Sequence, residues 1–90
     1  MVKRDRLGII RDILAVVRDH DNSIKPTPLL RYSNLSSQGF QEYLSELLGK
    51  GLIKGMEDRK GRKYYTLTDK GFRYLEKYQM IAGFIEDFGL

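Results

Sequence analysis

LSSQGFQEYLSELLGKGLI, residues 35–53, contains a complete helix with both of its ends written into it. Phe40, Leu44, Leu47 and Leu48 recur at steps of four, three and one, the spacing of one apolar stripe on an α-helix. Ser36 stands where an N-cap hydroxyl would accept a hydrogen bond from the first turn, and Gly49 or Gly51 supplies the residue at which helices commonly stop. With the apolar stripe turned to a core, Ser37, Gln38, Gln41, Glu42 and Ser45 face outward near the helix N-terminus.

Towards the N-terminus, Ser33, Asn34 and Leu35 make a short turn. Ahead of it the spacing predicts a second helix over about residues 28–33, with Thr27 as N-cap and Pro28 at the first helical position, where a missing N–H costs nothing. Over residues 4–20, Leu7, Ile10, Ile13, Leu14 and Val17 fall on one helical stripe. Asp21, Asn22 and Ser23 end that helix, and His20 sits at its C-terminus, where its cationic form complements the helix dipole.

Towards the C-terminus, residues 52–57 and 62–67 are short runs, partly β-branched or aromatic, separated by Asp58, Arg59, Lys60 and Gly61. They predict a hairpin in which Gly61 takes a positive φ. Tyr64 and Tyr65 alternate faces on its second strand, one packing on the core and the other exposed. Thr68 caps a last helix reaching about Asp87, with Asp69 in its first turn. Tyr74, Tyr78, Ile81, Ile85 and Phe88 recur along it at steps of four, three, four and three, a heptad seam, while Phe72 and Leu75 are expected to face the domain core. A chain this short cannot cover both stripes, so the seam is expected to pair with its twin in a homodimer; Gly83 and Gly89 weigh against a long stable coil.

The order is helix, helix, helix, hairpin, long helix, a mainly α fold with a small β-hairpin. We divide it into a body over residues 1–71 and a continuous dimerisation helix over residues 72–90. With 90 residues, a net charge of +4 and no cysteine, the chain is expected to be one small domain in a reducing, cytoplasmic compartment. No run approaches the roughly 20 apolar residues needed to span a bilayer, and MVKRDRLG lacks the apolar stretch of a signal peptide, so no membrane partner is expected. A single histidine without cysteine excludes a structural zinc set. Glu57 and Asp58 are adjacent on a strand end and point to different sides, and Gly49-Lys50-Gly51 lacks the flanking elements of a phosphate loop. We therefore expect no enzyme, no cofactor, no metal and no small-molecule effector.

Two helices joined by a tight turn and followed by a hairpin match the helix-turn-helix plan with a wing, in which the second of the two helices enters the major groove of DNA. Gln38 and Gln41 suit the paired donor and acceptor of an adenine edge, and the Ser36 and Ser37 hydroxyls suit phosphate beside the positive end of the helix dipole. Arg59, Lys60, Arg62 and Lys63 lie on the projecting hairpin, where they would grip the DNA backbone or enter the minor groove, contacts that give affinity and register rather than sequence. Before Lys50 the outward face of the third helix carries no cation, and Glu42 and Glu46 would repel phosphate. The competing expectation is a protein-interaction module whose acidic third helix binds a protein and whose wing cations only keep the hairpin soluble. Structured RNA is disfavoured because that helix lacks stacking aromatics.

LSSQGFQEYLSELLGKGLI, a basic turn, and YYTLTDKGFRYLEKY over residues 64–78 together resemble the archaeal winged helix-turn-helix group, which includes small dimeric chromatin-associated DNA-binding proteins and transcriptional regulators. The resemblance runs from about Arg6 to Tyr78, and is most telling over residues 47–53 and 65–71. It implies duplex DNA binding through the third helix and the wing, and dimerisation through a C-terminal helix in an antiparallel coiled coil, for which residues 72–88 are the matching segment.

Overall fold

The computed structural model describes residues 5–90, folded in the order α1 (Arg6–Asp19), α2 (Pro26–Ser33), α3 (Ser37–Gly49), β1 (Ile53–Glu57), β2 (Lys63–Leu67) and α4 (Asp69–Asp87). Arg4, where the stripe of the first helix was expected to open, lies outside the described residues. Within them α1 begins at Arg6, because the Asp5 carboxylate accepts from the Gly8 amide at 2.7 Å and caps the first turn. The helix buries Ile10, Ile13, Leu14, Ala15 and Val17. Leu7, expected on the same stripe, is exposed, since it lies one turn before the core contacts begin. At the other end His20 is the C-cap residue, and its Nδ1–H donates to the Val16 carbonyl at 2.8 Å.

The second helix starts two residues earlier than predicted. Pro26 and Pro28 both fit its first turn, whose amides have no intrahelical acceptor, so Thr27 is inside the helix rather than its cap. Asn34 closes the turn to α3 in the left-handed region, with φ of 59°. Ser33 beneath it is fully buried, and its hydroxyl donates to the Leu30 carbonyl at 2.6 Å and accepts from the Leu35 amide at 3.3 Å. A buried hydroxyl with both roles filled fixes the angle between the two helices.

The ends of α3 fall as the sequence predicts. Ser36 accepts from the Gly39 amide at 3.1 Å. At the C-terminus Gly51 takes φ of 70°, its amide donates to Leu48 and the Leu52 amide to Leu47, the paired bonds of a Schellman motif. Phe40, Leu44 and Leu47 are buried, but Leu48 is exposed, a correction to the predicted stripe: it lies a full step of the helical wheel past Leu47, on the flank beside the hairpin.

β1 and β2 pair antiparallel in a register from Ile53↔Leu67 to Glu57↔Lys63. A third contributor was not predicted. Ile24 forms a one-residue bridge to Tyr65, its amide donating to the Tyr65 carbonyl at 3.2 Å and its carbonyl accepting from the Tyr65 amide at 2.8 Å. Asn22 accepts from the Leu67 amide at 2.6 Å and pins the same edge. No period-2 pattern announces so short a strand, squeezed between the left-handed Asp21 and Asn22 and Pro26. Tyr65 packs against the core, as expected of one of the two tyrosines.

Thr68 caps α4 by accepting from the Gly71 amide at 3.1 Å, and donates its own hydroxyl proton to the Gly51 carbonyl. Lys70 adds a bond from Nζ to the Lys50 carbonyl at 2.8 Å. The start of α4 is thereby fastened to the end of α3. Gly71 is buried so closely against the Leu52 carbonyl that a Cβ there would collide with it. Leu75, one turn on, is buried on the same face, whereas Phe72 is exposed rather than in the core, because it is rotated off that face by one residue. Beyond Tyr78 no residue of α4 is buried, and the molecule extends 50 × 27 × 22 Å.

Candidate nucleic-acid interface

The wing tip is built around one carboxylate. Gly61 takes φ of 77°, its amide donates to the Asp58 carbonyl at 3.0 Å, and the Asp58 amide donates to the Arg62 carbonyl at 3.0 Å, a tight turn closed by a residue in the left-handed region. The Asp58 side chain fills the loop: Oδ1 accepts from the Lys60 and Arg62 amides, each at 2.9 Å, and Oδ2 accepts from Arg62 Nε at 3.1 Å. The Arg62 amide, followed by the Lys60 amide and the Arg62 guanidinium, holds this carboxyl below its ordinary value of 3.8.

The four predicted wing cations are therefore not equivalent. Arg62 is committed to Asp58 and shapes the turn, while Arg59, Lys60 and Lys63 are exposed and have no ion-pair partner among the described residues. Holding the tip rigid while leaving those three unpaired removes part of the ordering cost of binding an anion.

On α3, Ser37, Gln38, Gln41 and Ser45 lie together on the exposed face with Glu42. Ser36 borders them, but its hydroxyl is spent on the Gly39 amide, leaving the Ser37 and Gln38 amides without helical acceptors. Lys50 is set apart at the C-cap, where its Nζ donates to Glu46 at 2.8 Å; Arg6 of α1 pairs with the same carboxylate. Glu46 is thus neutralised from two sides, which leaves Glu42 as the acid of this face without an ion pair among the described residues.

The predicted seam of α4 divides in two. Tyr74 and Tyr78 stack with ring centroids 6.2 Å apart, and the Tyr74 hydroxyl donates to the Leu7 carbonyl of α1 at 2.7 Å. Burial, then the neighbouring Tyr78, raises the Tyr74 phenol above its ordinary value of 10.0. These two residues are engaged within the chain. Ile81, Ile85 and Phe88 are instead open to solvent, joined by Phe84, which falls outside the heptad steps but lies three residues after Ile81 on the same stripe. Phe84 and Phe88 pack on each other at 4.8 Å between centroids. Their exposures of 56% and 69% leave an apolar face with nothing against it among the described residues.

A turn-linked helix pair whose second helix presents an open polar face, followed by a cationic hairpin, defines a helix-turn-helix domain with a wing. The chain belongs to the winged helix-turn-helix family, whose profile matches residues 3–86. The fold is similar to that of Sso10a-2, a DNA-binding protein from Sulfolobus solfataricus, with a TM-score of 0.75 and 22% identity over 94% of this chain and 85% of that one. It is also similar to a protein from Pseudomonas aeruginosa provisionally described as a transcriptional regulator, with a TM-score of 0.68 and 19% identity, covering 93% of this chain and 63% of that one. No curated protein sequence matches. Among the described residues no helix is long and apolar enough to cross a membrane, and no group of three or more acidic, histidine or cysteine side chains is placed to hold a metal ion.

Proposed function

We propose that this protein binds duplex DNA as a homodimer, acting in the cytoplasm on the nucleoid as a transcriptional regulator or minor chromatin component. The observation that carries this reading is the wing: Arg59, Lys60 and Lys63, without ion-pair partners among the described residues, stand on a tip locked by Asp58, downstream of a capped helix with an open polar face. α3 enters the major groove with Ser37, Gln38, Gln41 and Ser45 toward the bases and the Ser37 and Gln38 amides toward phosphate, while the wing cations follow the backbone or minor groove. Lys50 joins them only where phosphate displaces Glu46. Residues 72–90 serve dimerisation, with Ile81, Phe84, Ile85 and Phe88 burying their open face against a second copy, and Tyr74 and Tyr78 stiffening the base of the helix. In such a dimer the two reading helices address half-sites about 34–36 Å apart.

The test is fluorescence anisotropy of a labelled random-sequence duplex over a salt series, with wild type beside Arg59→Ala/Lys60→Ala/Lys63→Ala; Arg62 is kept so that the turn survives. Three neutralised phosphates give a slope of log K against log salt of about −2.7 per subunit from the wing, and the variant loses about that much. The exposed pair Leu48 and Met56, which lines a groove of about 430 Å³ between α3 and the hairpin, favours a second reading, a protein-interaction module. Absence of duplex binding at about 50 mM salt, where phosphate contacts are strongest, would favour that reading over DNA.

A further inference from the structure

The segment that forms the unpredicted bridge also builds a cationic groove. Ile24 is buried, and alternate residues of an extended segment point to opposite faces, so Ser23 and Lys25 emerge on the outer side of the sheet beside β2. There Ser23, Lys25, Asp58, Arg62, Lys63 and Tyr64 line one groove of about 350 Å³. Its single carboxylate is already engaged by two backbone amides and by Arg62, so Asp58 and Arg62 cancel. Lys25 and Lys63 have no ion-pair partner among the described residues, and the Ser23 and Tyr64 hydroxyls make no hydrogen bond within them. Two cationic residues without ion-pair partners and two residues with free hydroxyls, from two separate segments, thus line the same groove.

That set of donors fits an oxyanion. The neighbouring start of α2 supplies little of the donation, since Pro26 and Pro28 occupy two positions of its first turn and have no N–H. We propose that this groove is a phosphate site, holding a backbone phosphodiester of the duplex between Lys25 and Lys63, with Tyr64 and Ser23 donating to its free oxygens. The proposal rests on the DNA-binding reading above and extends the contact surface from the wing tip to residues 23–25.

The experiment compares wild type, Lys25→Gln, Tyr64→Phe and Arg73→Gln in the duplex salt series; Arg73 is an exposed cation on α4 outside the groove with no ion pair among the described residues. Lys25→Gln is expected to reduce the salt slope by about 0.9, the value of one phosphate, Tyr64→Phe to weaken binding with the slope unchanged, and Arg73→Gln to change neither. Equal losses from Lys25→Gln and Arg73→Gln, or no loss from Lys25→Gln in a protein whose wild type binds, would overturn the assignment to duplex phosphate while leaving the wing reading intact. Wild type that binds no duplex brings down the DNA reading itself. A parallel NMR titration with inorganic phosphate separates the sources: shifts confined to Ser23, Lys25 and Tyr64 that vanish in Lys25→Gln, without an effect on duplex binding, mean a site for free phosphate. No localised shift together with no duplex effect overturns the site altogether.

Discussion

Substituting alanine at Gly71 and at Gly83 places the same methyl group in the same helix with opposite expected results. Gly83 is an interior position of α4, where alanine is favoured over glycine by about 0.8–1 kcal/mol, and Gly71 lies in the first turn, where the gain is no larger. At Gly83 a Cβ meets nothing within 4 Å, so the gain stands and Gly83→Ala should stabilise by somewhat under 1 kcal/mol. At Gly71 the Cβ collides with the Leu52 carbonyl, lies 3.3 Å from its carbon, and touches Leu67 Cβ at 3.4 Å. The obstructing atoms are backbone, held by the Schellman turn and by the Thr68 bond, so α4 has to move as a unit. Overpacking of this kind costs about 1–3 kcal/mol, which leaves a net loss of roughly 0–2 kcal/mol after the propensity gain, with the upper part of that range expected for an immobile neighbour. A domain of this size loses about 4–8 °C in Tm per kcal/mol, so Gly71→Ala should melt up to roughly 15 °C below wild type and Gly83→Ala a few degrees above it, by circular dichroism at matched protein concentration. If Gly71→Ala melts at or above Gly83→Ala, the close approach of α4 to the end of α3 is not what holds the helix in place.

Asp58 gives the hairpin an acid limit. Its carboxyl is depressed in the folded chain, so its contribution is complete above the ordinary value of 3.8 and fades as pH falls through the lower folded value. The Lys60 and Arg62 amides should lose hydrogen-exchange protection in that window, and Asp58→Asn should lose it at neutral pH without a further acid transition. Ile81→Asp places a charge on the open face of α4 and should give a monomer in sedimentation equilibrium, whereas Tyr74→Phe removes one bond to Leu7, costs about 0.5–1.5 kcal/mol, and leaves the mass unchanged. Glu46→Gln releases both Arg6 and Lys50 from the acid they share and should make the salt slope of duplex binding steeper by up to about 2; an unchanged slope would place both cations away from DNA.

The elements were legible where local chemistry decides them. Ser36, Thr68 and the Gly51 turn fix helix ends through bonds within three to five residues, and Gly61 fixes the hairpin in the same way. Reading failed where a residue's partner is remote or its flank is set by packing. Ile24 looks like a loop residue because its strand partner is 41 positions away at Tyr65. Leu48 and Phe72 have apolar side chains at plausible spacing, yet each is rotated just past the contact line that Leu47 and Gly71 define. The start of α2 at Pro26 is ambiguous in sequence because a second proline two residues later carries the same signal for a helix start.

The charges were the least legible feature, because sequence records a cation without recording what neutralises it. In the strip from Arg59 to Lys63 all four cations look alike, yet Asp58 takes one of them as a structural strut and leaves three for a partner. In sequence Lys50 extends the same basic strip, but Glu46 holds it, and Glu46 in turn ceases to repel phosphate because Lys50 and Arg6 hold it. The effect on binding runs in both directions at once: the wing carries fewer free cations than the sequence counts, and α3 carries less free negative charge. Among the described residues Arg59, Lys60, Lys63 and Lys25 stand without ion-pair partners at one end of the sheet, whereas Arg73 and Lys77 do so on α4, so where the charge sits, and not only the overall +4, bears on how a polyanion is drawn. A variant of unchanged net charge, Lys25→Gln combined with Gln79→Lys on the exposed surface of α4, should therefore bind duplex less well than wild type. Equal affinity would mean that net charge alone governs association.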